Sequence, residues 1–132
     1  MEDLIKMEDI IKKFRFKAAG VVLEAPDKLK EKFVKLGFKT SLDKKKKNTN
    51  TLVFIRNMKD YQKFLQNELA NIEEDSVLWF AYPKLTSVLK SDVNRDIIRV
   101  TGEEYGITTV TAVSIDDTWS ALRFRPINKV GK

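Results

Sequence analysis

The stretch Val77-Leu78-Trp79-Phe80-Ala81-Tyr82-Pro83-Lys84 decides the fold. Residues 77–82 are apolar without interruption, and the acidic run Glu73-Glu74-Asp75 sets them off on one side and Pro83-Lys84 on the other. The run is too short for a buried helix and lacks the alternation of a half-solvated strand. It reads as a strand buried on both faces. Such a strand needs neighbours in its sheet and a layer on each side of it.

Those neighbours are legible on either side. Downstream, Ser91 or Asp92 is placed to cap a helix with Val93, Ile97 and Val100 inward, ending at Gly106. Residues 107–115 and 119–125 then read as strands joined in a hairpin by Asp116-Asp117-Thr118. Upstream, 51–55 is an apolar strand, and Asn57 caps a helix carrying Met58, Tyr61, Leu65, Leu69 and Ile72 on one side. Residues 21–25 form a first strand closed by Pro26. Asp27 starts a helix with Leu29, Phe33 and Leu36 inward, and Gly37 stands as its C-terminal cap. Residues 38–42 read as a short strand, and Leu4, Met7, Ile11 and Phe14 have the spacing of an N-terminal helix within 1–14.

Strands alternating with helices predict an α/β domain. The expected architecture is a mostly parallel sheet of five to six strands, helices on both faces, and a C-terminal antiparallel hairpin at one edge. The length, 132 residues, predicts one domain spanning the chain, with 43–50 as a basic flexible loop.

Composition narrows the chemistry. The chain has neither cysteine nor histidine, which excludes disulfides, thiolate metal sites, thiol nucleophiles and imidazole bases. Any catalysis would rest on carboxylates, Lys, Arg, Tyr or hydroxyls, so no catalytic residue is assigned and a non-enzymatic role is favoured. No apolar run reaches the roughly 20 residues of a membrane span, and the acidic start Met1-Glu2-Asp3 does not resemble a secretory leader. A cytoplasmic protein with no membrane partner is expected. The net charge of +6 is uneven, with 17 Lys and Arg against 9 Asp and Glu in residues 1–66, and 8 against 10 thereafter. Much of the excess is one run, Lys44, Lys45, Lys46 and Lys47. Such a run contacts phosphates without sequence preference, but no aromatic residue is interleaved with it and no nucleic-acid-binding motif accompanies it. Nucleic acid is therefore the less favoured partner.

Ligands of open parallel sheets lie outside the carboxyl ends of the strands, here 25–27, 56–57 and 83–84. The first of these turns, Glu24-Ala25-Pro26-Asp27, has no glycine, and its proline removes an amide donor. No cofactor is expected there. Lys84 follows the central strand and suits an anionic group. Arg123 and Arg125 alternate with Leu122 and Phe124 along the last strand and share a face with Trp119 and Ala121, which suits the same chemistry or the protection of a sheet edge. Asn94 and Arg95 form a polar cluster on a helix that packing does not require, and Asp116 offers a carboxylate in the hairpin turn, a place where Asp is also favoured for its turn chemistry.

Residues 78–84, 90–96 and 113–126, the last reading Val-Ser-Ile-Asp-Asp-Thr-Trp-Ser-Ala-Leu-Arg-Phe-Arg-Pro, resemble a family of small bacterial proteins catalogued as a domain of unknown function. A weaker likeness extends to 23–26. The resemblance implies a reduced Rossmann-type, methyltransferase-like layout and carries no activity with it. The expected function is a binding or regulatory module for an anionic ligand or a protein partner, through candidate residues Lys84, Asn94, Arg95, Arg123 and Asp116. The alternative is a degenerate transferase that binds S-adenosylmethionine or a nucleotide.

Overall fold

In the computed structural model, which describes residues 9, 11–85 and 91–130, the decisive stretch forms strand β3 (Leu78–Pro83), with all six residues buried. Strands β1 (Val21–Leu23) and β2 (Thr51–Phe54) join it on one side, and β4 (Ile107–Ser114) and β5 (Trp119–Pro126) on the other. The sheet order is β1-β2-β3-β5-β4. Helices α1 (Asp27–Lys35), α2 (Met58–Asn67) and α3 (Arg95–Glu103) occupy the connections.

This order corrects the expected architecture. Only the β1–β2 and β2–β3 pairings are parallel, whereas β3–β5 and β5–β4 are antiparallel. The sheet is mixed, has few helices, and is not the mostly parallel Rossmann-type layout anticipated. The antiparallel hairpin does form one edge of the sheet, with its second strand beside β3 and its first outermost. The cause is apolar content. On β5, Trp119 and Ala121 point to one face while Leu122 and Phe124 point to the other, and all four are buried. A strand with two apolar faces is most stable inside the sheet, and the threonine-rich β4 takes the edge. The expected strand over 38–42 shrinks to a single parallel bridge between Lys39 and Val21, since Thr40 and Ser41 are exposed.

Side-chain parity divides the core into two layers. On one face Val22, Leu52, Phe54, Trp79, Ala81, Trp119 and Ala121 meet Leu29 and Phe33 of α1 together with Phe14. The Trp79 indole donates to the Phe14 carbonyl at 2.9 Å, and the two rings meet edge to face 4.8 Å apart. On the other face Val53, Ile55, Leu78, Phe80, Leu122 and Phe124 meet Tyr61, Phe64 and Leu65 of α2 and Ile98 of α3. The Tyr61 hydroxyl donates to the Ile98 carbonyl at 2.8 Å, tying α2 to α3, and burial pushes its pKa well above the ordinary phenol range.

The helix starts follow capping chemistry, at partly different residues from those expected. Asn57 caps α2 by accepting from the Asp60 amide. Asn94, rather than Ser91 or Asp92, caps α3 by accepting from Ile97. Ser91 and Asp92 instead clamp the start of α2, with the Ser91 hydroxyl donating to the Arg56 carbonyl and the Asp92 carboxylate accepting from the Met58 amide. Asp27 is the first residue of α1, and Pro26 stands at its cap. Leu4 and Met7 of the expected N-terminal helix, and most of the expected loop 84–90, lie outside the described residues. The chain is helical at 11–13.

Residues 43–50 have no regular structure but are anchored at two asparagines. Buried Asn48 accepts from the Asp43 amide and donates to the Asp43 and Asn71 carbonyls. Asn50, at φ 53°, accepts from the Lys17 amide and passes its carbonyl to Val21. Gly20 lies so close to it that an added Cβ would stand 2.0 Å from the Asn50 carbonyl oxygen.

Candidate ligand-binding cleft

The chain changes direction at β1. The Val22 amide donates to the Lys39 carbonyl, whereas the Val21 amide donates to Asn50 at the start of β2. Successive amides of a strand point to opposite sides, so segment 39 lies outside β1 and the chain must then return across it to enter β2. Where successive connections diverge in this way, the carboxyl ends of the two strands leave a crevice that no connection fills.

A cleft of about 450 Å3 lies there. Its floor is apolar, with Leu23, Val53, Ile55 and Phe64, and Leu42 closes one side. Glu24, Thr40, Ser41 and Lys44 rise from the β1 side, and Asp60, Lys63, Asn67 and Glu68 from α2. The cleft exists because α2 covers β2 and β3 while, among the described residues, only the irregular segment 40–50 passes over this face of β1. A hollow of similar volume elsewhere is lined by α1 alone and cannot enclose a ligand.

Several rim groups are committed. Lys44 donates to both carboxylate oxygens of Glu68, at 3.0 and 2.8 Å. These bonds hold the Glu68 pKa below its ordinary value, with Asn71 adding to the effect and burial opposing it. Asp60 accepts from the Arg56 amide. The Glu24 carboxylate and the Lys63 ammonium make no ion pair or hydrogen bond among the described residues, and both are exposed. Glu24 also sits at φ 60°, a left-handed conformation disfavoured for a side chain with a Cβ. Arg56 holds that turn by donating to the Glu24 carbonyl at 2.9 Å while its guanidinium lies over the Trp119 ring, 5.7 Å from the centroid.

None of the five residues singled out in the sequence lines this cleft. Lys84 follows β3 and donates to the Ser114 hydroxyl at 2.6 Å, and its amide bonds to the Thr118 carbonyl. Asp116 lies in the same hairpin turn, accepting from the Thr118 and Trp119 amides, which accounts for its identity. Asn94 is a helix cap, and Arg95 is exposed beside it. Arg123 lies far down β5, opposite Trp79. The cleft residues escaped sequence reasoning because their assembly depends on the return of segment 40–50. The local signal is position alone: the strand ends read from sequence, 25–27 and 56–57, adjoin the lining residues Glu24 and Ile55 without including them.

Among the described residues no cluster of three or more metal-ligating side chains is found, and no helix is long and apolar enough to cross a membrane. Comparisons with protein-family models, curated proteins and solved structures return no match for this chain.

Proposed function

We propose that this chain is a small-molecule-binding α/β module whose site is the cleft at the carboxyl ends of β1 and β2. The observation that carries this reading is the coincidence of the cleft with the point where the connections diverge. Its volume falls within the range of small-ligand sites, roughly 300–1,000 Å3, and its make-up of apolar floor and few polar rim groups is typical of them.

Charge defines the ligand class. Three carboxylates, Glu24, Asp60 and Glu68, face two ammonium groups, Lys44 and Lys63, and Lys44 already pairs with Glu68. A polyanion is poorly matched. A zwitterionic, nucleoside-sized molecule fits better, its apolar body against Phe64 and Leu23, its cation at Glu24 and its anion at Lys63. The residues that suggest an anionic ligand in the sequence, Lys84, Asn94, Arg95, Arg123 and Asp116, lie outside this cleft. The alternative, a degenerate transferase, draws on the same position, and under it S-adenosylmethionine would be the selected zwitterion.

Ligand-observed NMR with adenosine, S-adenosylmethionine, free amino acids and ATP tests the proposal. Zwitterions should bind, ATP should not compete, and Ser41→Trp, which places an indole in the cleft from an exposed loop position, should abolish binding. Equal binding by wild type and Ser41→Trp would overturn the assignment. Selection of S-adenosylmethionine over the amino acids would favour the transferase reading.

A further inference from the structure

Away from the cleft, the opposite face of the sheet carries a second polar feature. Parity places Arg123 and Arg125 on the same side of β5 as Trp119 and Ala121, and the register sets Arg123 between Trp79 of β3 and Thr111 of β4. Arg125 forms a two-pronged ion pair with Asp75, at 2.8 and 3.0 Å. The Arg123 side chain makes no hydrogen bond to a described residue, and its Nε is buried. Its pKa lies below the ordinary arginine value through burial, through Arg125 and through nearby Arg15, with Asp75 opposing. Arginine remains a cation under all these influences. Among the described residues, the carboxylate acting on Arg123 is Asp75, which is already engaged by Arg125. Arg123 is half-exposed overall, which leaves the cation reachable from solvent.

We propose that Arg123, flanked by Arg15 and Arg125 and facing the Thr111 hydroxyl position, is a site for a tetrahedral oxyanion of the phosphate class. The planar fork of Arg123 matches two oxygens of such a group. Arg15 and Arg125 add charge without occupying the fork, and Thr111, exposed on the edge strand, can donate a third bond. The site is independent of the cleft, which lies on the other face and is short of free positive charge.

The experiment is a titration of the full chain followed through its arginine Nε–Hε NMR resonances, with inorganic phosphate and with a phosphate monoester, at constant ionic strength set by chloride. A saturable shift of the Arg123 resonance is expected. Arg123→Lys keeps the charge but loses the fork, and its affinity, followed through the Thr111 amide, should fall about tenfold. Arg15→Gln, at an exposed position, should fold normally and weaken binding about threefold. A tighter monoester would identify a phosphoryl group carried on a ligand as the natural occupant, and equal affinities would identify free phosphate. A non-saturable shift, an equal shift with chloride, or undiminished affinity in both variants would overturn the site.

Discussion

At the residue scale, several polar side chains have one physical task each, and substitution separates the task from ligand binding. Asn94 stood out in the sequence as a polar residue without a packing role. In the structure its side chain accepts from the Ile97 amide at 2.9 Å and starts α3. Asn94→Ala should therefore cost about 1 kcal/mol in urea unfolding and leave ligand affinity in the cleft unchanged. Thr51 makes the opposite case. Its hydroxyl is buried without a hydrogen-bond partner among the described residues, so Thr51→Val, nearly the same shape, should be neutral or stabilising by up to about 1 kcal/mol. A loss of more than that would show that the hydroxyl is satisfied in solution. The pairing of Asp75 with Arg125 sets a pH dependence. Arg125 lowers the Asp75 pKa through its hydrogen bonds and charge, with burial opposing. A carboxylate whose folded pKa is depressed contributes stability at neutral pH that is lost as pH falls below about 4. Arg125→Gln should flatten the acid limb of a stability–pH profile and leave the neutral-to-alkaline part parallel to wild type.

At the element scale, the segment 43–50 shows what a sequence conceals. Its four consecutive lysines announce a solvated loop, and the lysines are indeed exposed. Two asparagines anchor it, and each ties the segment to a partner more than twenty residues away: Asn71 for Asn48 and Lys17 for Asn50. Asn48→Ala would take the side-chain partner from the Asp43 amide and carbonyl in a partly buried place and leave the Asn71 carbonyl with the Asn48 amide alone. A cost of about 2–3 kcal/mol is expected, with faster amide exchange across 43–48 that marks local release of the segment. Unchanged exchange there would show that the backbone bonds between Asn48, Asn71 and Glu73 suffice. The strands and helices themselves were largely legible, because apolar runs and helical periodicity are local signals: 51–55, 77–82 and the hairpin at 116–118 all emerged from spacing alone. Strand order was not. It depends on the competition between β4 and β5 for the place beside β3, which the buried alternation of Trp119, Ala121, Leu122 and Phe124 decides. Counting apolar residues on both faces of each hairpin strand would have revealed that choice.

At the scale of the whole molecule, the site is a property of topology more than of motif. Glu24, Ser41 and Lys63 are unremarkable in sequence and share no spacing rule. They come together because the chain first places segment 39 outside β1 and then returns to build β2 on the inner side. The residues that looked distinctive, Lys84 and Asp116, serve the hairpin end. Arg123 faces the other side of the sheet, where it supports a separate proposal. The direct measurement is backbone amide shift mapping of the 15N-labelled chain with a zwitterionic nucleoside-sized probe at about 1 mM, where weak sites are occupied. Saturable shifts are expected at Glu24, Ser41, Ile55, Lys63 and Phe64, with Arg95, Asp116 and Thr118 unmoved. Saturable shifts confined to the hairpin end and the start of α3, with the cleft silent, would contradict the assignment of the site to the cleft.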